Sequence, residues 1–236
     1  MTARTKKPVA SSTSPKSDER STAGLFALEV MHEIRNPLEA VGHLTYLARM
    51  EADDPEQVRK YMLMAEEQLA TLNRIASQTL GFARVAASPK PIDLVGLAEA
   101  ALRIHQQTVE AKKIHLIKSL PRELIASVHS GQILQAVSNL IVNSLDALHE
   151  GGSLTMRLRQ TEGGACLLIA DNGHGIMAEH LERIFEPFFS TKEDAGNGIG
   201  LSLTKRIVED HQGTIRLKSS VRKGRSGTAF RIFLPR

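Results

Sequence analysis

The chain has 236 residues, which is long for one compact domain and comfortable for two. Hydrophobic residues make up 42% of the chain and charged residues 24%, a balance that excludes disorder throughout. The net charge is +4 and the pI about 9.3, but the basic residues are scattered and no nucleic-acid recognition motif accompanies them. We therefore expect no nucleic-acid partner.

The apolar stretches of the sequence are short. The run from Ala165 to Ala170 is far below the ~20 residues needed to cross a bilayer, and no apolar segment near the N-terminus resembles a signal peptide. We expect no membrane span and a cytoplasmic location. The single cysteine, Cys166, lies within this run, which predicts a buried thiol in a strand without a chemical role.

The N-terminal part of the chain predicts a tail and two helices. Residues 1–20 are rich in Ser, Thr, Pro and Lys, so we expect a disordered tail. Apolar positions spaced by three and four residues then predict a first bundle helix, whose seam contains Met31, Ile34, Leu38, Val41, Thr45 and Ala48. After an acidic turn at 51–55, a second helix follows with a seam of Val58, Met62, Ala65, Leu69, Leu72, Ala76 and Thr79.

An antiparallel hairpin of two such helices leaves an apolar stripe uncovered, so we expect a homodimer whose hairpins form a four-helix bundle. Pro89 and Pro91 break helicity and mark a boundary between a helical domain at 21–88 and a second domain at 89–236.

Helices and strands alternate in the second domain. We predict helices at about 94–112, 132–149 and 201–211, and strands near 114–120, 125, 154–159, 166–170, 214–218 and 228–234. This order indicates an α/β sandwich with helices on one face of a mostly antiparallel sheet. The fold class of the whole chain is therefore α plus α/β.

Asn139 and Asn143 are four residues apart on a predicted helix and share one face. A carboxamide oxygen suits Mg²⁺, and its NH₂ group can serve a phosphate oxygen. For a pair of asparagines taken alone, hydrogen bonding within the domain is the favoured explanation. The pair by itself is therefore a weak sign of a magnesium site.

Asp171 follows a strand and precedes Gly173 and Gly175, which let the backbone approach a ligand closely. A buried carboxylate at that place could accept a hydrogen bond from the exocyclic amine of adenine. A tight turn is the alternative interpretation. Calcium binding is disfavoured because regularly spaced acidic ligands are missing.

A second glycine motif contains Gly196, Gly198 and Gly200 and leads into the helix that begins near Leu201. The free N–H groups and the dipole of a helix N-terminus favour phosphate. No strand precedes the motif, and it lacks the Gly-Lys-Ser/Thr ending of a P-loop. The sequence therefore disfavours both a dinucleotide-binding (Rossmann) site and a Walker site.

Three of the seven phenylalanines, Phe185, Phe188 and Phe189, cluster just before Lys192. A hydrophobic clasp that anchors a mobile lid would explain this clustering, and so would core packing.

In order and spacing, these four segments resemble the N, G1, F and G2 boxes of the GHKL ATPases, which include histidine kinases, gyrase, the heat-shock chaperone ATPase and MutL-type proteins. The resemblance covers about 91–236 and implies the GHKL (Bergerat) α/β sandwich with ATP and Mg²⁺ as cofactors. It implies that Asp171 holds the adenine amine, Asn143 binds Mg²⁺ and Asn139 assists at the phosphates.

The same resemblance gives roles to residues further along the chain. Lys192 and the backbone from Gly196 to Gly200, with Leu201 at the helix start, would cradle the triphosphate. Thr228 looks like the strand threonine that reaches adenine through water.

His32 lies one position past the predicted seam residue Met31, which turns it about 100° toward solvent. A neutral imidazole is a competent nucleophile toward phosphorus, and Glu33 could orient the ring or accept its proton. Asn36 lies one turn later on the same face, where it could hold a water against a docked phosphoaspartate. Pro37 predicts a bend in this helix. A solvated surface histidine is the alternative reading, but a zinc protease is excluded because position 36 is not His.

The segment His32–Leu38 resembles the H box of the HisKA histidine kinases, which extends the resemblance to about 21–236. It implies that ATP phosphorylates His32 and that a response regulator receiver domain then takes the phosphoryl group onto its aspartate, with phosphatase activity as a reverse duty. The segment Glu186–Lys192 looks most like the nitrogen-regulation and oxygen-sensor kinases. The alternatives are a GHKL ATPase or serine kinase, and a non-catalytic dimeric scaffold that regulates a response regulator.

Overall fold

The computed structural model of the protein describes residues 15–83, 88–191 and 198–236. The chain divides into two compact units, residues 1–79 and 80–236. Within the described ranges, no helix combines the length and the apolar character that a membrane span requires.

The first unit contains two long helices, α1 (Pro15–Met50) and α2 (Pro55–Ala83). The turn between them is closed by Asp54, whose Oδ1 accepts hydrogen bonds from the backbone N–H groups of Glu56 at 3.0 Å and Gln57 at 3.1 Å. Asp54 is thus the N-cap of α2, and Pro55 occupies the first helical position, where its missing N–H has no cost.

Helix α1 begins inside the segment 1–20 that was predicted to be disordered, while residues 1–14 lie outside the described residues. The prediction is wrong for residues 15–20.

The buried face of the helical pair differs from the predicted seam. Among the α1 side chains that the structure describes, Pro37, Leu44 and Ala48 are buried. Ala48 is a predicted seam position, whereas two others, Leu38 at 57% and Thr45, are exposed. Two of the buried residues of α1 thus lie one position before the predicted ones: Pro37 is buried in place of Leu38, and Leu44 in place of Thr45. The seam positions Met31, Met62 and Leu69 are likewise exposed in the single chain.

The described residues of the second unit form seven strands: β1 (Lys90–Asp93), β2 (His115–Ser119), β3 (Ile125–Val128), β4 (Ser153–Thr161), β5 (Gly164–Asp171), β6 (Thr214–Ser220) and β7 (Gly227–Pro235). Its helices are α3 (Leu94–Ile104), α4 (Gln106–Ala111), α5 (Ser130–Ala147) and α6 (Gly200–Asp210), with a 3₁₀ turn at Ala178–His180.

Five strands form one sheet in the order β2-β4-β5-β7-β6, in which only the β2–β4 pair is parallel. The mostly antiparallel sheet that the sequence predicted is therefore confirmed. Residues of β4 alternate between the faces, so that Leu154, Met156 and Leu158 are buried while Arg157 and Arg159 are exposed.

Helices α3 and α5 cover the buried face of the sheet. A narrow gap between these two helices and the sheet is lined by Ala98 of α3, Val137 of α5, and Leu167 of β5. The buried residues of α5 recur every three or four positions, which leaves Asn139 and Asn143 at the margin of the buried stripe. Cys166 is buried, as predicted.

Two local predictions for this unit are wrong. The helix predicted over 94–112 is broken at His105, whose Nε2 is 2.7 Å from Ser138 Oγ on α5. Residues Lys90–Asp93, just after the predicted domain boundary, form a strand that pairs with β3 and that the sequence pattern did not predict. A proline is tolerated in such a short two-stranded sheet because it sits at an edge.

Candidate functional site

Asp171 is the last residue of β5, and its side chain is held by backbone N–H groups from two directions. Its Oδ1 accepts hydrogen bonds from Gly173 N at 3.0 Å and from Thr228 N at 3.2 Å. Burial raises the pKa of the carboxyl, and the two N–H groups, Ser144 and His174 oppose that rise. The site therefore presents a desolvated but oriented carboxylate at the end of a strand.

Thr228 is buried at the start of β7, opposite Asp171 in the sheet. Its hydroxyl lies 2.9 Å from Ser219 Oγ on the neighbouring strand β6. Ser219 also accepts a hydrogen bond from Ile176 N at 2.8 Å and donates one to Gly227 O at 2.9 Å. Ser219 thus connects the loop after Asp171 to the strand that carries Thr228.

The motif from Asp171 to Gly175 needs its glycines for close backbone packing. A Cβ on Gly173 would lie 2.4 Å from Ala147 O at the end of α5. A Cβ on Gly175, which has φ of +78°, would lie 2.0 Å from Ser220 O. The loop is therefore packed closely against the end of α5 and against β6.

Helix α5 supplies both asparagines and one serine that sequence reasoning missed. Asn139 Nδ2 donates to Gly200 O at 3.2 Å, so this amide already ties α5 to the start of α6. Asn143 is half-buried, and its side chain has no hydrogen-bond partner among the described residues. Ser144 is only 1% exposed, and its Oγ likewise has no partner in the described part of the chain.

The second glycine motif is described only from Gly198 onward, and Lys192 and Gly196 lie outside the described residues. Gly198 has φ of +62°, and its carbonyl accepts a hydrogen bond from Phe188 N at 3.1 Å. Gly200 and Leu201 form the first turn of α6, where backbone N–H groups have no intrahelical acceptor. The predicted anion-favouring helix start is therefore present.

The phenylalanine cluster lies at the surface rather than in the core. Ile184 is the buried residue of this segment, while Phe185, Phe188 and Phe189 are half-buried. The guanidinium carbon of Arg183 lies 4.4 Å from the centre of the Phe189 ring. The three rings are thus less buried than Ile184 beside them.

The residues of this region fit a nucleotide with a magnesium ion. A buried hydroxyl without a partner, Ser144, adjoins the carboxylate of Asp171, and such a group carries a desolvation cost that a ligand can relieve. Within the described ranges there is no cluster of three or more His, Cys, Asp and Glu that could hold a metal alone. The carboxamide of Asn143 can supply one oxygen ligand and leave the others to phosphates.

Residues 129–236, which contain every element of this region, match the model of the family described as histidine kinase-, DNA gyrase B- and HSP90-like ATPases. The sensor histidine kinase ZraS of Klebsiella oxytoca is 34% identical over 216 residues, which is 90% of this chain and 46% of that protein. The second unit therefore contains this ATPase domain, and the chain is similar to sensor histidine kinases.

Two further relatives are also named as kinases and match nearly the whole of this chain. The histidine-protein kinase AtoS of Escherichia coli is 30% identical over 93% of this chain and 36% of that protein, and sporulation kinase A of Bacillus subtilis is 31% identical over 94% and 36%. The chain therefore spans less than half the length of these curated relatives.

Solved histidine kinase structures show the same fold. The mycobacterial sensor histidine kinase MprB matches 62% of this chain and 97% of its own, with a TM-score of 0.56 and 28% identity. The histidine kinase ThkA, in a complex with response regulator TrrA, matches 94% of this chain and 64% of its own, with a TM-score of 0.74 and 24% identity. The predicted GHKL sandwich is thereby confirmed for the second unit.

The segment His32–Leu38 lies on α1. The side chains of His32 and Glu33 lie outside the described residues, and Asn36 is exposed. Pro37 lies inside the helix and is buried. The sequence placed His32 toward solvent because its neighbour Met31 was predicted to be buried. Met31 is 70% exposed in the single chain, so the predicted buried stripe is absent at this turn of α1.

Proposed function

We propose that the chain uses ATP to phosphorylate its own His32 and then passes the phosphoryl group to an aspartate of a response regulator receiver domain. The observation that carries this proposal is the oriented carboxylate of Asp171, between Thr228 and the unpartnered Ser144, in a region that matches the ATPase family. The similarity to sensor histidine kinases extends over 90% of the chain and therefore includes the helix with His32.

Asp171 would accept the exocyclic amine of adenine, with Gly173 and Gly175 giving the base room to approach. Burial strengthens this polar contact because water competes less for the carboxylate. Thr228 would contact the base through water. The half-buried position of Asp171, held by two backbone donors, supports this role.

The phosphates would lie toward the start of α6, beside Gly198, Gly200 and Leu201, with Lys192 and Gly196 completing the cradle. Asn143 would hold Mg²⁺, which when bound neutralises phosphate charge. Asn139 would assist at the phosphates by holding the first turn of α6 in place through Gly200. Positioning and charge stabilisation supply most of the rate in phosphoryl transfer.

In the transfer itself, a neutral ring nitrogen of His32 would attack the γ-phosphorus while the bond to the β-phosphate oxygen breaks and ADP leaves. Glu33 would accept the ring proton that attack releases. The aspartate of the receiver domain would then take the phosphoryl group from His32. ThkA, which shares this fold, has been solved with the response regulator TrrA, and this precedent favours a receiver domain as partner.

Asn36 would position a water molecule for the phosphatase activity, in which the phosphoaspartate of the receiver domain is hydrolysed. Its exposure on the helix that carries His32 supports this role.

Reaction with ATP and a receiver domain also favours the cytoplasm as the location of the protein. The segment Glu186–Lys192 favours a kinase of the nitrogen-regulation and oxygen-sensor type.

The chain would act as a homodimer. Large apolar side chains on both helices of the hairpin are exposed in the single chain: Met31, Leu38, Tyr46, Leu47, Met50, Met62, Leu63, Met64 and Leu69. A second hairpin that covers these residues would complete a four-helix bundle.

The test is incubation with γ-labelled ATP and Mg²⁺. The parent should acquire acid-labile, base-stable label that is lost in His32→Gln and in Asn143→Ala. His43→Gln is the matched control, since His43 is exposed on the same helix and should keep full labelling. Label that persists in His32→Gln would exclude His32 as acceptor, and nucleotide binding without label would favour a scaffold.

A further inference from the structure

The face of the five-stranded sheet that the helices leave open carries a concentration of positive charge. Five exposed cationic side chains project from it: Arg157, Arg159, Arg216, Lys218 and Arg231. On this face of β4, β5, β6 and β7 the sequence places no carboxylate, and none of the five cations has an acidic partner among the described residues.

Two of these cations lie directly against each other. Arg216 and Arg231 are opposite residues of β6 and β7, so their side chains leave the same face. Like charges at directly opposed positions destabilise a sheet. An anion bound between them would remove this repulsion.

The cations border a mostly apolar floor. Arg157 and Arg159 stand on β4, and Arg216 and Lys218 stand on β6. Strands β5 and β7 lie between them, and Arg231 projects from β7 beside Arg216 and joins the cations on that side. The floor positions include Leu168, which is half-buried. At one end, the guanidinium groups of three arginines surround a groove of about 320 Å³ that also includes Cys166 and Phe233.

The open faces of β4 to β7 form a trough between the two cationic rows, and its width indicates what kind of partner could bind there. Three strand spacings separate β4 from β6, which is roughly 14 Å between the two cationic rows. An α-helix with its side chains is about 10–12 Å across. A helix lying along the floor would therefore face a row of cations on each side, and its apolar stripe would meet Leu168 and Phe233.

We propose that this trough, formed by the open faces of β4 to β7, docks an acidic amphipathic helix of a partner protein. The apolar stripe of that helix covers the floor, and carboxylates on its two flanks pair with the arginines. Single-stranded nucleic acid fits less well, because such surfaces stack successive bases on several aromatic rings and this floor offers one, Phe233.

The test uses the full chain and labelled synthetic peptides in fluorescence anisotropy. The probe is a helical peptide with a leucine stripe flanked by glutamates, compared with a scrambled peptide of equal composition. The parent should bind the probe at least 10-fold more tightly than the scrambled peptide, and binding should weaken as salt rises. Binding of the two peptides with equal strength, or no binding of the probe, would overturn the proposal.

Charge reversal locates the site. The double variant Arg216→Glu with Arg231→Glu should weaken probe binding at least 10-fold, while Arg103→Glu, on α3 in the helical layer, should leave it unchanged. Arg231→Glu alone should raise the melting temperature because it replaces a like-charge pair with an opposite-charge pair, which shows that the variant folds. Unchanged probe binding in the double variant, or tighter binding of a single-stranded oligonucleotide by the parent, would contradict the docking site.

Discussion

Thr228 stands opposite Asp171 across strands β5 and β7 and donates its backbone N–H to Asp171 Oδ1 at 3.2 Å. Gly173 N–H donates to the same oxygen at 3.0 Å. These two donors fix the orientation of the carboxylate at the end of β5.

Replacing Asp171 with Asn should separate binding from stability. Nucleotide affinity should fall about 10- to 100-fold, because a hydrogen bond to a charged group is worth about 1.5–3 kcal/mol. Titration of a fluorescent ATP analogue measures this loss. Asp210→Asn, at an exposed position on α6, should bind the analogue like the parent.

The stability of Asp171→Asn should depend on pH. Burial raises the pKa of Asp171 in the folded state, so a charge cost exists at pH values above that raised pKa. As pH falls through the folded pKa toward the lower value of the unfolded chain, the folded state takes up its proton first and the cost disappears. Thermal melts should show the variant at least as stable as the parent at pH 8, with the difference narrowing in acid; a less stable variant at pH 8 would contradict the charge cost.

Gly175→Ala and Gly151→Ala should separate backbone strain from collision. The two glycines have φ of +78° and +77°, but a Cβ would meet Ser220 O at 2.0 Å only at position 175, and nothing within 4 Å at position 151. In urea unfolding, Gly151→Ala should lose about 1–2 kcal/mol. Gly175→Ala should lose at least about 3 kcal/mol because overpacking adds to the strain. Equal losses would show that Ser220 moves freely.

Ser219→Ala should loosen the loop after Asp171. The substitution removes the acceptor for Ile176 N and the donor to Gly227 O, so a stability loss of about 1–3 kcal/mol is expected. In the phosphorylation assay, KM for ATP should rise several-fold while kcat changes little. Ser220→Ala, which removes an exposed contact to Arg222 N, is the neighbouring control and should leave KM unchanged.

Asn36→Ala should keep autophosphorylation but hydrolyse a phosphorylated receiver domain roughly 10-fold or more slowly. The substitution removes the side chain that positions the attacking water, and positioning of a group that takes part in proton transfer contributes at least that much to a rate. Loss of radiolabel from the receiver with time measures the hydrolysis. Glu39→Ala, exposed on the same helix, should behave like the parent. An equal loss of labelling and hydrolysis in Asn36→Ala would assign Asn36 to the forward reaction.

Leu69→Glu should dissociate the proposed dimer. Leu69 is 47% exposed in the single chain, and a charge there would be costly to bury between two hairpins. Sedimentation velocity should show a dimeric parent and a monomeric variant. Lys60→Glu, at an exposed polar position of α2, should remain dimeric; a monomeric parent would remove the basis for the bundle.

The predictions that the structure bears out came from strong local signals. The apolar spacing of α5 and the strand before Asp171 depend on neighbouring residues, so sequence alone located both. Ser219 was missed because it meets Thr228 only through the register of β6 against β7, a pairing that no local pattern reveals. Ser144 was missed because a serine beside Asn143 looks like an ordinary helix residue until its burial is known.

The misplaced seam of the hairpin has a different cause. Leu38 and its neighbour Pro37 are both apolar, so periodicity fits either register, and only the packing of α1 against α2 selects Pro37. The break at His105 is likewise tertiary, since its ring meets Ser138 on a helix distant in sequence.

The order of the sheet has a kinetic consequence. Strands β4 and β5 are joined by a short turn, as are β6 and β7, so each pair can form early and locally. The central β5–β7 pairing joins residues 57 apart in sequence, Asp171 and Thr228, and must overcome the entropy of closing that loop. The carboxylate and its main-chain donor therefore meet at the least local strand pairing of the sheet, and a nucleotide held there would slow unfolding by fastening the two halves of the sheet together.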